Sequence, residues 1–484
     1  MKIHHFLFIC FAGILAASCS NPPADVTAGC LPDIYPDYAG ITVPRNIAAL
    51  NFVYRGEGKA VLQINGDRTI RAGRDGCFRF GKRLWRQLLE QNDTLKLRIS
   101  SKSGGKWTSY RDFEIFISPD PIDPCVSYRL IPPGYQGWKD MGIYERCLEN
   151  FSQRVIHNNA NSGENCVNCH SYCNRNPGKM TMHLRADFGG TVLFDGGKSL
   201  KLDTKTDSTI SALVYPYWHP DGRHIAFSVN STRQCFFAHN PNRVEVFDSA
   251  SDIVVLDTET LTLNWSPLVK SPAFCETFPC FSPDGKYLYF CSAPAPESMP
   301  RDYEKVKYAL YRVGYDSATG TFGDELEPVC DFTGEGMSIS FPRISPDGRF
   351  LVFTRHGYGN FSIWHKDADL WILDLENGQC RSLAALNSDD VESYHCWSSN
   401  GRWLIFSSRR DDGLYTRLYI AHIDCNGKPE KAFLLPQKNP EKYYQELMYS
   451  YNIPELTTAP VPVSKRRMLR TVRETGDAVK KVGY

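Results

Sequence analysis

The chain has no second long apolar run: beyond Phe6 to Ala17, nothing approaches the roughly twenty apolar residues that a membrane-spanning helix needs, so it reads as no integral membrane protein. It also lacks net charge. With 55 basic and 54 acidic residues the formal balance is +1, which removes any global field favouring nucleic acid. A serine-nucleophile elbow, a phosphate-cradling glycine loop and a recognisable pair of catalytic carboxylates are missing too. Hydrolase and nucleotide chemistry therefore have no footing, and the chain reads as a non-enzyme unless a cofactor supplies the reaction. What 484 residues at 42% hydrophobic content do allow is two or three buried cores.

The densest chemistry is the run Cys166-Val167-Asn168-Cys169-His170. C-x-x-C-H is the spacing at which two thiols reach the vinyl groups of one haem, while the adjoining imidazole lies under the iron. One covalent haem c is the cofactor this predicts, with Cys166 and Cys169 as attachment points and His170 as proximal ligand. For the other face of the iron, Met180, Met182 and His183 are the nearest downstream candidates and His157 the nearest upstream. Cys173 keeps a rival open, since Cys166, Cys169, His170 and Cys173 are also a four-ligand set for zinc or an iron–sulfur centre. A Cys166–Cys169 disulfide is the purely structural alternative.

Haem attachment requires export, and the N-terminus carries the marks of it. A short basic start, the apolar Phe6 to Ala17 and small residues before Cys19 read as a signal peptide over 1–18. Leu15-Ala16-Ala17-Ser18-Cys19 resembles a bacterial lipobox, departing from its strictest form at Ala16. That resemblance implies lipidation of Cys19, a tether over 19–39 and a cell-envelope location, periplasmic or outer-membrane, with the membrane reached through the lipid alone; ordinary secretion and a retained N-terminal anchor are the alternatives. Of the 17 cysteines, Cys10, Cys19, Cys166 and Cys169 are thus spoken for. The odd remainder cannot all pair; Cys30, Cys77, Cys125 and Cys147 are bridge candidates, and Cys280, Cys291 and Cys396 read as small core residues.

Repetition sets the fold of the second half. Four segments match, with turns at His219-Pro220-Asp221-Gly222, Ser282-Pro283-Asp284-Gly285, Ser345-Pro346-Asp347-Gly348 and the degenerate Ser398-Ser399-Asn400-Gly401, their glycines 63, 63 and 53 residues apart. Each joins two half-buried strands, and Ile253–Asp257, Tyr308–Val313, Asp369–Asp374 and Leu418–Ala421 supply a third. Short antiparallel strands repeated this way make an all-β β-propeller over 181–460, of five or six blades with six favoured. The motif resembles the PD40 repeats of TolB-like propellers. The string from Tyr144 through His170, followed by these repeats, resembles propeller lipoproteins of Bacteroidetes that carry one c-type motif.

Ahead of the repeats, alternating segments over 40–118 predict a small β-sandwich with one short helix in 80–91. The proline-rich 118–124 marks a boundary. Residues 119–180 then read as a linker holding the haem motif, loop-like over 128–137 and helix-compatible over 144–156. Residues 461–484 read as a frayed basic tail, Arg409-Arg410-Asp411-Asp412 as a solvated loop and His219 as a turn residue; His395 and Arg343 could line a central channel. Two functions follow as expectations: electron transfer or redox sensing with the propeller docking an envelope redox partner, or a TolB-like interaction and assembly scaffold. A haem-dependent oxidoreductase is the enzymatic variant.

Overall fold

The computed structural model describes residues 24–133, 140–164, 166–237, 239–240, 242 and 244–481. Cys19, the signal segment and Asn165 lie outside them. The described chain is all-β, with a front module followed by six sheets of four core strands each.

The front module pairs a seven-stranded sheet with a three-stranded one and carries the helix Lys82–Gln91. Lys59–Ile64 shows the cause at residue level: Ala60, Leu62 and Ile64 are buried while their neighbours face out, the period-two pattern of a one-sided sheet. The module is not a separate bead. Phe52, Phe78 and Trp85 belong to one continuous core with Trp397, Trp403 and Phe433 of the last sheet. Tyr35 donates to Asp411 at 2.7 Å, and the boundary segment is pinned by Ser399, whose Oγ donates to Asp123 at 2.6 Å. Asp411 is therefore half of a module-to-module contact, and the Arg409–Asp412 loop is not solvated as expected. Arg409 is buried against Asp390 at 3.0 Å, Arg410 pairs with Glu392 at 2.8 Å and Arg417 with Asp412 at 3.2 Å.

In five of the six sheets strand order follows chain order, each beginning with an inner strand: Val167–Tyr172, Val214–Trp218, Phe274–Phe281, Ser338–Ile344 and Glu392–Trp397. The remaining sheet is assembled from both ends of the repeat region. Cys125–Ile131, Gly142–Cys147 and Gln153–Asn158 form its outer part, and Ser450–Thr457 is its inner strand. Each inner strand packs on the next, and Ser450–Thr457 touches both Glu392–Trp397 and Val167–Tyr172, so the circuit closes.

Three expectations are corrected here. Residues 119–180 are not a linker: they hold three strands of the composite sheet and all of the strand that carries the motif. The run 144–156 is two strands, because Tyr144, Arg146 and their neighbours pair with Cys125–Leu130 on one side and Gln153–Asn158 on the other; tertiary pairing overrides a helix-compatible composition. The basic tail is ordered. Ser464 accepts the Arg467 backbone N–H and caps the helix Lys465–Arg473, which buries Met468 and Val472. Asp477–Ala478 and Lys480–Lys481 then add parallel to the outer edges of the sheets whose inner strands are Val167–Tyr172 and Val214–Trp218, the second and third sheets when the composite one is counted first.

Candidate functional site

Every inner strand bulges at one place. Pairing slips between Val167 and His170, Val214 and Tyr217, Thr277 and Cys280, Ser340 and Arg343, and Ser393 and His395, and the composite sheet slips beside Ile453. Five of the residues at these bulges have left-handed φ: Tyr215 (49°), Phe278 (52°), Phe341 (53°), Tyr394 (36°) and Ile453 (49°). Positive φ is unfavourable for side chains of this size, so five recurrences mark a shared structural demand. In four strands the next residue is proline, which forgoes its ladder hydrogen bond where a bulge has already broken the ladder.

The bulge turns each side chain toward the axis. Tyr215 to Phe278, Phe278 to Phe341 and Phe341 to Tyr394 have ring centroids 4.8, 4.3 and 4.4 Å apart. Ile453 and Cys169 belong to the same buried cluster. Cys169-His170 thus aligns with Tyr215-Pro216, Phe278-Pro279, Phe341-Pro342, Tyr394-His395 and Ile453-Pro454, and Cys169 fills the sixth place in an axial layer that plugs the centre. One residue further on, Cys280, Arg343, Cys396 and Glu455 share the next level with Ser171 and Tyr217. Burial pushes the Glu455 carboxyl up, with Arg343 and Arg175 pulling the other way.

His170 stands directly opposite Met182 on the neighbouring strand and 6.0 Å from the Tyr172 ring. It is 2% exposed, and neither ring nitrogen closes a hydrogen bond. Burial, reinforced by the Arg129 charge, pulls its pKa down to about 3, and the Ser127 backbone opposes that. Its counterpart His395 has one nitrogen engaged, Nε2 2.9 Å from the Val352 carbonyl, while Nδ1 has no partner. Cys166, at the entrance of the strand, is partly exposed, its Sγ 3.7 Å from Met141 Sδ.

A porphyrin does not fit these residues as they are folded. The cavity touching both Cys169 and His170 measures about 20 Å³, against roughly 300 Å³ or more for a small-molecule pocket. The distal candidates fail by register. Met182 lies beside His170 and Met180 opposite Tyr172, on the same sheet face, where neither can approach iron from the far side. His183 points to the other face of its strand, and His157 Nε2 is 3.1 Å from Ser162 Oγ. The zinc or iron–sulfur set fails as well, because the ligand atoms of Cys166, Cys169, His170 and Cys173 do not converge. All fifteen described cysteines are free.

Beyond the start of its inner strand, the long hairpin Val229–Phe236 with Val244–Ala250 reaches the loop that carries Tyr358, Asn360 and His365. A buried polar cluster holds it there. Glu245 takes His365 Nε2 at 3.1 Å and Tyr358 Oη at 3.0 Å, and Asp248 accepts from Asn230 and Asn360, each at 2.6 Å. Burial pushes the Asp248 carboxyl up despite these two amides and the Thr232 hydroxyl, which donates to it at 2.8 Å. At the end of the hairpin's first strand Phe236 is 61% exposed. Sequence reading missed this cluster because its members lie far apart in the chain; an unusually long strand pair between two repeats was the available signal.

No family model and no curated protein matches the chain. Among solved structures, an oligogalacturonate lyase in complex with manganese is 14% identical, covering 63% of this chain and 73% of that one at a TM-score of 0.36. An ancestral GH74 enzyme is 12% identical, covering 65% of this chain and 39% of that one at a TM-score of 0.34. Likeness this distant carries no activity to this chain.

Proposed function

We propose that the six sheets are the blades of a six-bladed, TolB-like propeller, held at the cell envelope by lipid on Cys19, and that the protein is an interaction scaffold. The observation that carries this is the place of Cys169 in the axial layer. A residue that completes a six-membered plug is accounted for by packing, and the motif around it becomes the first inner strand. The element left to meet a partner is the long hairpin, anchored at its base through Glu245 and Asp248, whose first strand ends in an exposed aromatic, the kind of residue that anchors protein interfaces.

A covalent haem is the second reading, and one observation favours it: two unpaired nitrogens on a buried imidazole, an arrangement that costs about 1–3 kcal/mol and that a ligand would relieve. The two readings part experimentally. With a photo-cross-linker at position 236 in the native envelope, the scaffold reading expects capture of one defined envelope protein, retained when Cys166→Ser and Cys169→Val are introduced. Capture that vanishes with the cysteines would favour the haem-dependent reading, and no capture at 236 would refute the hairpin as the docking element.

A further inference from the structure

Three of the four repeat turns share one hydrogen-bond device, and the fourth departs from it. In three turns a serine hydroxyl donates to the turn Asp or Asn: Ser282 to Asp284 at 2.6 Å, Ser345 to Asp347 at 2.5 Å and Ser398 to Asn400 at 2.6 Å. The same hydroxyls accept the backbone N–H of the aromatic that opens the next strand, Tyr287, Phe350 or Trp403, at 3.1, 2.9 and 2.9 Å. In the third sheet both places are histidine. His219 stands for the serine and His224 for the aromatic, with Asp221 between them.

The substitution does not restore the device. His224 N–H goes to Asp221 Oδ1 at 3.1 Å instead. His219 Nε2 lies 2.9 Å from the Gly285 carbonyl, which can only accept, so Nε2 carries a proton and, in the tautomer with one ring proton, Nδ1 carries a lone pair. That lone pair takes a weak contact from the Asp221 backbone N–H at 3.2 Å and stands 3.0 Å from Asp221 Oδ2. His224 Nδ1 is 2.7 Å from the same oxygen. Among the described residues this is the one place where three or more such side chains bring ligand atoms within 4.8 Å of one another.

We propose that His219, Asp221 and His224 bind one borderline divalent transition cation of the zinc class. Nδ1 of His219, Oδ2 of Asp221 and Nδ1 of His224 supply three ligands, and the exposed side of Asp221 leaves water to complete the shell. Binding displaces the proton on His224 Nδ1 and replaces the repulsion between the His219 lone pair and the carboxylate with two coordinate bonds. The contact from His219 Nε2 to a carbonyl is the outer-shell bond that ligating imidazoles characteristically make. Both rings are held in place, His219 against Phe281 at 4.8 Å and His224 against Tyr315 at 5.8 Å between centroids. The site is independent of the thiols of the C-x-x-C-H run.

Cobalt(II) titration of the chelator-treated full chain, followed by visible absorption and back-titration with zinc(II), tests this. One equivalent is expected to bind with weak d–d bands and no intense thiolate charge transfer, and zinc is expected to displace it. The double variant His219→Ser/His224→Tyr carries the residues of the sister turns and is expected to melt like the parent while binding cobalt more than about tenfold more weakly. Asp221→Asn, which copies the Asn400 turn, is expected to weaken binding similarly. Equal binding by parent and variants, a thiolate-type spectrum, or no binding by the parent at millimolar cobalt would each overturn the site.

Discussion

His170 is the residue on which two chemistries compete. As a haem ligand it would be indispensable; as the residue that follows the bulge of an inner strand it occupies a place that four sister strands give to proline. His170→Pro is therefore expected to leave the protein folded, with stability unchanged or raised by up to about 1 kcal/mol in chemical denaturation, since the ring pre-sets the backbone and removes an unsatisfied imidazole. The same residue sets a pH dependence. Its folded pKa lies near 3, below the ordinary 6.5, so the unfolded chain takes up a proton first and stability falls as pH drops from 6.5 toward 3. The proline variant should lose stability less steeply over that window; an identical slope would mean that His170 is not buried as described. At this scale the sequence was legible in type but not in role. Cys169 and His170 are the residue types of a c-type site, and only the alignment with Tyr394-His395 and Ile453-Pro454 shows them as strand residues.

At the scale of elements, four inner strands were readable because a Pro-Asp-Gly or Ser-Asn-Gly turn follows each, and Gly222, Gly285, Gly348 and Gly401 all adopt positive φ there. The other two lacked that punctuation. After Cys173 the chain turns through Asn174 and Arg175, at φ 46° and 61°, and Ser450–Thr457 ends in no repeat turn at all. The outer strands of the composite sheet were hidden for a different reason: the inner strand that completes their sheet comes from the far end of the repeat region. One pair within them gives a direct check. Cys125 stands opposite Cys147, while Leu148 N–H bonds the Pro124 carbonyl at 2.7 Å, so the cysteines fall at a non-hydrogen-bonded position, with Cα atoms about 4.5 Å apart. That spacing suits a bridge. Exposure of the reduced protein to a small-molecule disulfide should join the Cys125 and Cys147 peptides in a non-reducing digest, with loss of two hydrogens; their recovery as two separate thiols would contradict the register.

The whole molecule is held by its two ends meeting. Ser450–Thr457 is the only inner strand that comes from the far side of the repeats among the described residues, and the tail beyond it straps the edges of the second and third sheets. Truncation after Tyr449 is accordingly expected to abolish cooperative thermal unfolding, because it leaves one sheet without its inner strand and exposes the edge of Cys125–Ile131. Truncation after Glu474 removes only the two short edge strands and is expected to lower Tm while leaving a single transition. Equal behaviour of the two truncations would show that the circuit is not what makes the fold cooperative. Composition and repeats made the all-β class readable at this scale, but closure could not be, since it depends on pairing between residues more than 300 positions apart.

The most direct measurement is the intact mass of the mature protein purified from cells that possess cytochrome c maturation machinery. A polypeptide mass with no added porphyrin, and no Soret absorption, is the result expected of an axial strand packed against five sister strands. A mass raised by one haem, retained after denaturation and mapped to Cys166 and Cys169, would contradict the packing of that strand and return the protein to redox chemistry.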